Sequence, residues 1–189
     1  MSPGMTIATC AWMEENWLKE RPMETKKRFD AMRYMDDIFM AYDTSDRWDS
    51  NKLIEDICES KCYWNPLTLE DGRQGVFLEI EYEQKKDPST GSTYLAHCIK
   101  NDNANGQTVW RYHDYRSAAE YSRKRATLLA VLRKTHLAAS DGKMLYKSAL
   151  HKLKEFKELG YPSGIRKFAC AIMARDYCDL TWRTVRRFQ

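Results

Sequence analysis

The chain has 189 residues, 43% of them hydrophobic and 12% aromatic, and a formal net charge of +4. This composition excludes a disordered chain and allows one domain, or two small ones, with a sizeable core. No apolar run reaches the length of a membrane span and no signal-peptide pattern opens the sequence, which predicts a nuclear or cytoplasmic protein that is neither secreted nor membrane-bound.

Residues 5–20 place apolar side chains at three- and four-residue spacing, which predicts a helix that Pro22 ends. A short charged stretch leads into Ala31-Met32-Arg33 and Ile38-Phe39-Met40-Ala41-Tyr42, two apolar, strand-prone runs around Tyr34-Met35-Asp36-Asp37. The pattern predicts a tight β-hairpin with two adjacent carboxylates at its tip. Like charges so close are costly unless a cation neutralises them, and hard cations such as Mg²⁺ take carboxylate oxygens of this kind. The competing reading is an ordinary turn, because Asp is common in turns for local hydrogen-bonding reasons.

Ser45 or Asp46 is the predicted N-cap of a second helix over 47–60, with Leu53, Ile54, Ile57 and Cys58 as its buried stripe. From Tyr63 onward, short runs at Trp64–Leu69, Gly75–Tyr82, Ser92–Ile99 and Thr108–Tyr112 alternate with turn residues. Alternation in Val76–Tyr82 predicts one strand with Val76, Leu78, Ile80 and Tyr82 on its apolar face, an antiparallel-sheet signal. After about residue 116 three helices are predicted, over 117–136, 143–159 and 163–178, with Asp141-Gly142 and Gly160/Pro162 as breaks. Ala118, Tyr121, Arg125, Leu128, Leu129 and Leu132 form the predicted buried face of the first. The fold class is α+β, with a domain boundary near 112–116.

Six cysteines (Cys10, Cys58, Cys62, Cys98, Cys170 and Cys178) lack a disulfide-framework spacing. Cys58 and Cys62 with His97-Cys98 would make a zinc set, but neither pair has finger spacing and both sit in apolar contexts. Charge divides the chain more sharply. Residues 1–104 hold 13 Lys+Arg against 20 Asp+Glu, whereas residues 105–189 hold 18 against 7. An acidic front with a candidate metal turn and a basic back fit a polyanion held by one half and acted on by the other; the plainer alternative is a set of solvated helix faces.

Taken in order, these segments resemble a reverse transcriptase of the Penelope-like and related retroelement class. Arg33-Tyr-Met-Asp-Asp-Ile-Phe39 is similar to that family's active-site hairpin. Ser2-Pro3-Gly4 with the following helix resembles the tail of its preceding motif. Val76–Ile80 is similar to its Phe-Leu-Asp strand, with Glu79 where Asp is usual. Tyr112-His-Asp-Tyr-Arg-Ser117 and Lys124-Arg125-Ala126 resemble its primer grip and first thumb helix, and Leu159-Gly160-Tyr161-Pro162 a later turn.

The resemblance implies a partial palm over residues 1–112 and a helical, thumb-like region over 113–189. It implies RNA-directed DNA synthesis with Mg²⁺ or Mn²⁺, an RNA template with a DNA primer, and deoxynucleoside triphosphates. Asp36 is then the principal metal ligand and Asp37 its assistant, serving two ions about 4 Å apart. Tyr34 backs the hairpin or touches the primer end. Arg111, His113 and Arg116 contact phosphate beside aromatic rings, and Arg123, Lys124, Arg125, Arg133 and Lys134 line the duplex. The family's third aspartate lies on an upstream strand, and Glu14, Glu15 and Asp30, expected on a helix or in a linker, do not replace it. The expectation is therefore a C-terminal fragment whose missing N-terminal part is a partner. The alternatives are a non-catalytic nucleic-acid-binding remnant of a retroelement, or a structural protein that reuses the fold.

Overall fold

In a computed structural model of the chain, the residues described are 3–35, 37–42, 50–59, 62–63, 67–68, 72–103 and 111–189. The chain forms two compact units, Met1–Asp71 and Gly72–Gln189, and its class is α+β.

The first unit carries α1 (Pro3–Lys19), α2 (Met23–Lys26), β1 (Phe29–Tyr34), β2 (Asp37–Tyr42) and α3 (Ser50–Cys58). The strands pair antiparallel from Phe29↔Tyr42 to Tyr34↔Asp37. Asp30 lies in β1 rather than in a linker, because the strand begins at Phe29, which packs edge-on against Trp17 with ring centroids 5.9 Å apart. Trp17, Ile57 and Cys62 form the small core, joined by Leu18, Phe29, Met40, Tyr63 and Leu67. Ile57 of the predicted stripe is buried, whereas Ile54 and Cys58 are half-buried. The Leu53 side chain and the predicted caps Ser45 and Asp46 lie outside the described residues, as do Trp64–Pro66 and Thr108–Trp110.

The second unit opens with a three-stranded antiparallel sheet, β3 (Gln74–Phe77), β4 (Ile80–Lys86) and β5 (Thr93–Ile99), in that order. The strand predicted over Val76–Tyr82 is in fact a hairpin. Phe77 pairs with Ile80, and Leu78 takes a φ of 57° in the two-residue turn. Alternation misled because a two-residue reversal shifts the parity. Ile80 and Tyr82 share a face with Phe77 and Gly75, which leaves Val76 49% and Leu78 45% exposed. Between β4 and β5 the predicted turn is built by Asp87, whose carboxylate accepts from Ser89 N and Oγ and from Thr90 Oγ1, with Gly91 at φ 70°.

Four helices follow: α4 (Tyr121–Leu137), α5 (Gly142–Glu158), α6 (Ser163–Asp176) and α7 (Leu180–Arg187). Asp141 caps α5 by accepting from Met144 N at 2.9 Å, and Asp179 caps α7 by accepting from Thr181 N at 2.8 Å. Sequence patterning missed α7, an eight-residue helix that shows only Trp182 and Val185 to the core. Leu128, Leu132, Leu153, Phe156, Met173, Trp182 and Val185 have no exposed surface and form the centre of the bundle. The buried face of α4 runs through Lys124, Leu128, Leu132 and Thr135. The helix starts at Tyr121 rather than 117, so Ala118 precedes it, and Tyr121 faces solvent.

The helices belong to the same unit as the sheet. Ser140 N donates to His97 O and Ser140 Oγ accepts from His97 N, both at 2.9 Å, and Met144 is buried with Ala96 and Cys98. The compositional boundary near 112–116 thus lies inside the second unit, where the helical segment begins.

Candidate nucleic-acid interface and metal-binding hairpin

The hairpin of the first unit reverses between Tyr34 and Asp37, which pair across its end. Met35 has a φ of 56°, the left-handed conformation that lets a two-residue turn follow the right-handed twist of the strands. Tyr34 is 54% exposed, and Asp37 is exposed as the first residue of β2. Asp36 lies outside the described residues.

Arg33 braces the turn. Its Nε donates to Glu14 Oε1 at 2.5 Å, its Nη1 to Met35 O at 3.2 Å and its Nη2 to Ile7 O at 3.4 Å, which ties the hairpin to α1. Glu14 Oε1 also accepts from the Tyr63 hydroxyl at 2.5 Å. Burial, followed by that bond to Glu14, pushes the Tyr63 phenol well up.

Of the carboxylates near the hairpin, Glu14 is thus committed to Arg33 and Tyr63. Asp37 is a solvent-facing hard oxygen donor of the type Mg²⁺ takes. Among the described residues, no group of three His, Cys, Asp or Glu side chains gathers to hold a metal ion. Asp37 therefore fits a contributor to a metal site, and the described residues do not complete one.

In the second unit, Arg111 and Lys134 converge on Glu79, at the tip of the β3–β4 turn. Arg111 Nη1 lies 2.9 Å from Glu79 Oε1, Arg111 Nε lies 3.0 Å from Asp102 Oδ2, and Lys134 Nζ pairs with Glu79 Oε2. These groups rim a pocket of about 370 Å³ that Tyr112, Lys100 and Lys152 also line. Tyr112 stacks on Phe156 at 5.0 Å, and the buried Lys152 is paired with Glu155 at 3.1 Å. Lys152 and Glu155 were not legible as a site because they read as two more charges on a basic helix.

The remaining predicted contacts differ in burial and in partners. Lys124 is only 8% exposed, and its ammonium donates to Tyr115 O at 2.6 Å and Ser117 O at 2.7 Å, holding the segment before α4. Arg125 lies over the Tyr121 ring at 5.6 Å and the Phe168 ring at 4.8 Å. Arg133 pairs with Asp176 at 3.4 Å. His113, Arg116 and Arg123 are exposed.

No protein-family model, curated protein or solved structure matches the chain. Among the described residues, no helix is long and apolar enough to cross a membrane.

Proposed function

We propose that the chain is the C-terminal part of an RNA-directed DNA polymerase, whose Tyr34-Met35-Asp36-Asp37 hairpin contributes carboxylates to the catalytic metal site. The observation that carries this reading is the two-residue reversal, with Tyr34 opposite Asp37 and Asp37 open to solvent. The ordered run of motifs along the sequence supports it. In this reading the primer 3′-hydroxyl attacks the α-phosphate of a deoxynucleotide and pyrophosphate leaves. Mg²⁺ or Mn²⁺, when bound, supplies charge neutralisation for that transfer. Asp36 and Asp37 give oxygen ligands, Tyr34 backs the turn, and the other ligands come from the upstream polymerase portion. Arg111, His113, Arg116, Arg123, Arg125, Arg133 and Lys134 serve the template–primer duplex by sequence-independent phosphate contact.

A second reading, a nucleic-acid-binding remnant without catalysis, draws on the exposed Arg116 and Arg123, which have no carboxylate partner among the described residues. Primer extension on an RNA template with Mg²⁺, with and without the upstream portion supplied in trans, separates the two. The polymerase reading expects extension that Asp36→Ala and Asp37→Ala abolish. No extension under either condition, with duplex binding retained, leaves the remnant reading alone.

A further inference from the structure

A cluster of cations on α6 and α7 involves none of the residues considered so far. On α6, Lys167, Ala171, Ala174 and Arg175 recur at helical spacing and share one stripe. On α7, Arg183, Arg186 and Arg187 do the same. The two stripes meet in a groove of about 690 Å³ lined by these seven residues alone. Five of the seven are cations and none is a carboxylate. Arg175 is engaged by Asp176 at 2.8 Å, whereas Lys167, Arg183, Arg186 and Arg187 are exposed and have no ion-pair partner among the described residues.

Holding like charges together is unfavourable unless an anion settles among them. The two alanines leave the floor low, so that such an anion can approach the α6 backbone. Lys167 and Arg175 are eight residues apart, or about 12 Å along the helix axis. That length suits a linear polyanion better than a single phosphate or carboxylate. Phe168 adds a second type of contact. It shares a helical face with Ala171 and Arg175, is 49% exposed, and carries the Arg125 guanidinium over its ring. A cationic track beside an aromatic ring with one accessible face is how proteins hold unpaired nucleic acid, by phosphate contact plus base stacking.

We propose that the α6–α7 groove binds a single strand of nucleic acid, with Arg183, Arg186, Arg187 and Lys167 on successive phosphates and a base stacked at Phe168. This goes beyond the polymerase reading, which concerns a duplex and assigns nothing to α7.

The test is fluorescence anisotropy of the intact chain with a labelled 12-nucleotide oligothymidine across a salt series. Arg183→Glu/Arg186→Glu is expected to weaken binding at least tenfold and to flatten the salt slope by about 0.7 per lost contact. Arg183→Lys/Arg186→Lys retains most of the affinity. Ala171→Glu, which leaves every cation in place but puts a carboxylate on the floor, also weakens binding tenfold or more, and Phe168→Ala costs about tenfold through lost stacking. Circular-dichroism melts establish that each variant is folded. Unchanged affinity in a folded Arg183→Glu/Arg186→Glu protein overturns the proposal. So does tighter binding to polyglutamate or to phosphatidylserine vesicles than to the oligonucleotide. A result in which primer extension fails while the groove variants lose single-strand binding sinks the polymerase reading and leaves the groove assignment standing.

Discussion

Glu79 and Lys134, 55 residues apart in the sequence, form an ion pair that fastens the β3–β4 turn to α4. The hydrogen bond from Lys134 holds the Glu79 carboxyl below the usual carboxylate range, with Arg111 assisting. A carboxyl depressed by folding stabilises the protein above its unfolded pKa, and that contribution is lost as pH falls through the folded pKa. Because Glu79 is nearly half exposed, solvent screening keeps its worth below about 1 kcal/mol. Glu79→Gln is therefore expected to be slightly less stable than wild type at pH 7, and equally stable once both are brought well below pH 4. Urea melts of the two proteins across that range would show the gap closing; a gap that widens on acidification contradicts the assignment.

Lys152 and Glu155 present a different balance, because both side chains are almost fully buried. Removing one partner strands the other charge and costs about 3–5 kcal/mol. Lys152→Met and Glu155→Leu should each destabilise the second unit severely, whereas the double variant should recover most of the loss. A thermal-denaturation cycle over the four proteins measures the coupling.

Lys124 separates scaffolding from phosphate contact. Its two hydrogen bonds to Tyr115 O and Ser117 O make Lys124→Met worth about 2–3 kcal/mol of stability, at ordinary values for charged donors. Arg123→Ala, at an exposed position, should leave stability within about 0.5 kcal/mol and lower duplex affinity with a reduced salt slope. Denaturant melts paired with duplex titrations at two salt concentrations distinguish the two variants.

Leu78 sits in the left-handed region with no Cβ-free residue to relieve it. Such a conformation costs a leucine about 1 kcal/mol or more. Leu78→Asn and Leu78→Gly should both stabilise the second unit by roughly that amount, with Asn the better of the two because it keeps a less flexible unfolded chain. An increase in the midpoint of urea unfolding checks this.

The cysteines should differ in reactivity. Burial pushes the Cys98 and Cys170 thiols up to about 11, with Glu81 adding to the effect at Cys98 and Arg166 opposing it at Cys170. Thiolate is the reactive form. At pH 8 in native protein, iodoacetamide should label the exposed Cys178 well before either, as peptide mapping would reveal.

Long helices and turn chemistry were the legible part of this sequence. Leu128, Leu132, Leu145, Leu153 and Phe156 recur at helical spacing, so α4 to α6 appear within a few residues of their observed bounds. The Asp36–Asp37 hairpin was equally readable, since apolar runs flank a short polar break. What failed did so for stated reasons. The β3–β4 turn uses Leu78 and Glu79, which carry no turn signature, and Glu79 is held there by tertiary ion pairs to Lys134 and Arg111. Lys124 reads as a surface cation because sequence does not show the carbonyls folded over it. The α6–α7 groove needs two helices brought together, and the second was too short and too charged to be recognised.

The paired bonds between Ser140 and His97 give the second unit a property that its separate elements lack. They occupy the N–H and the carbonyl of His97, so the loop between α4 and α5 covers that part of the β5 edge. A rupture of the helical bundle then uncovers the sheet, and a rupture of the sheet frees the start of α5. Sheet and bundle are therefore expected to melt as one cooperative body, so that β3–β5 is not left as a free-standing template for aggregation.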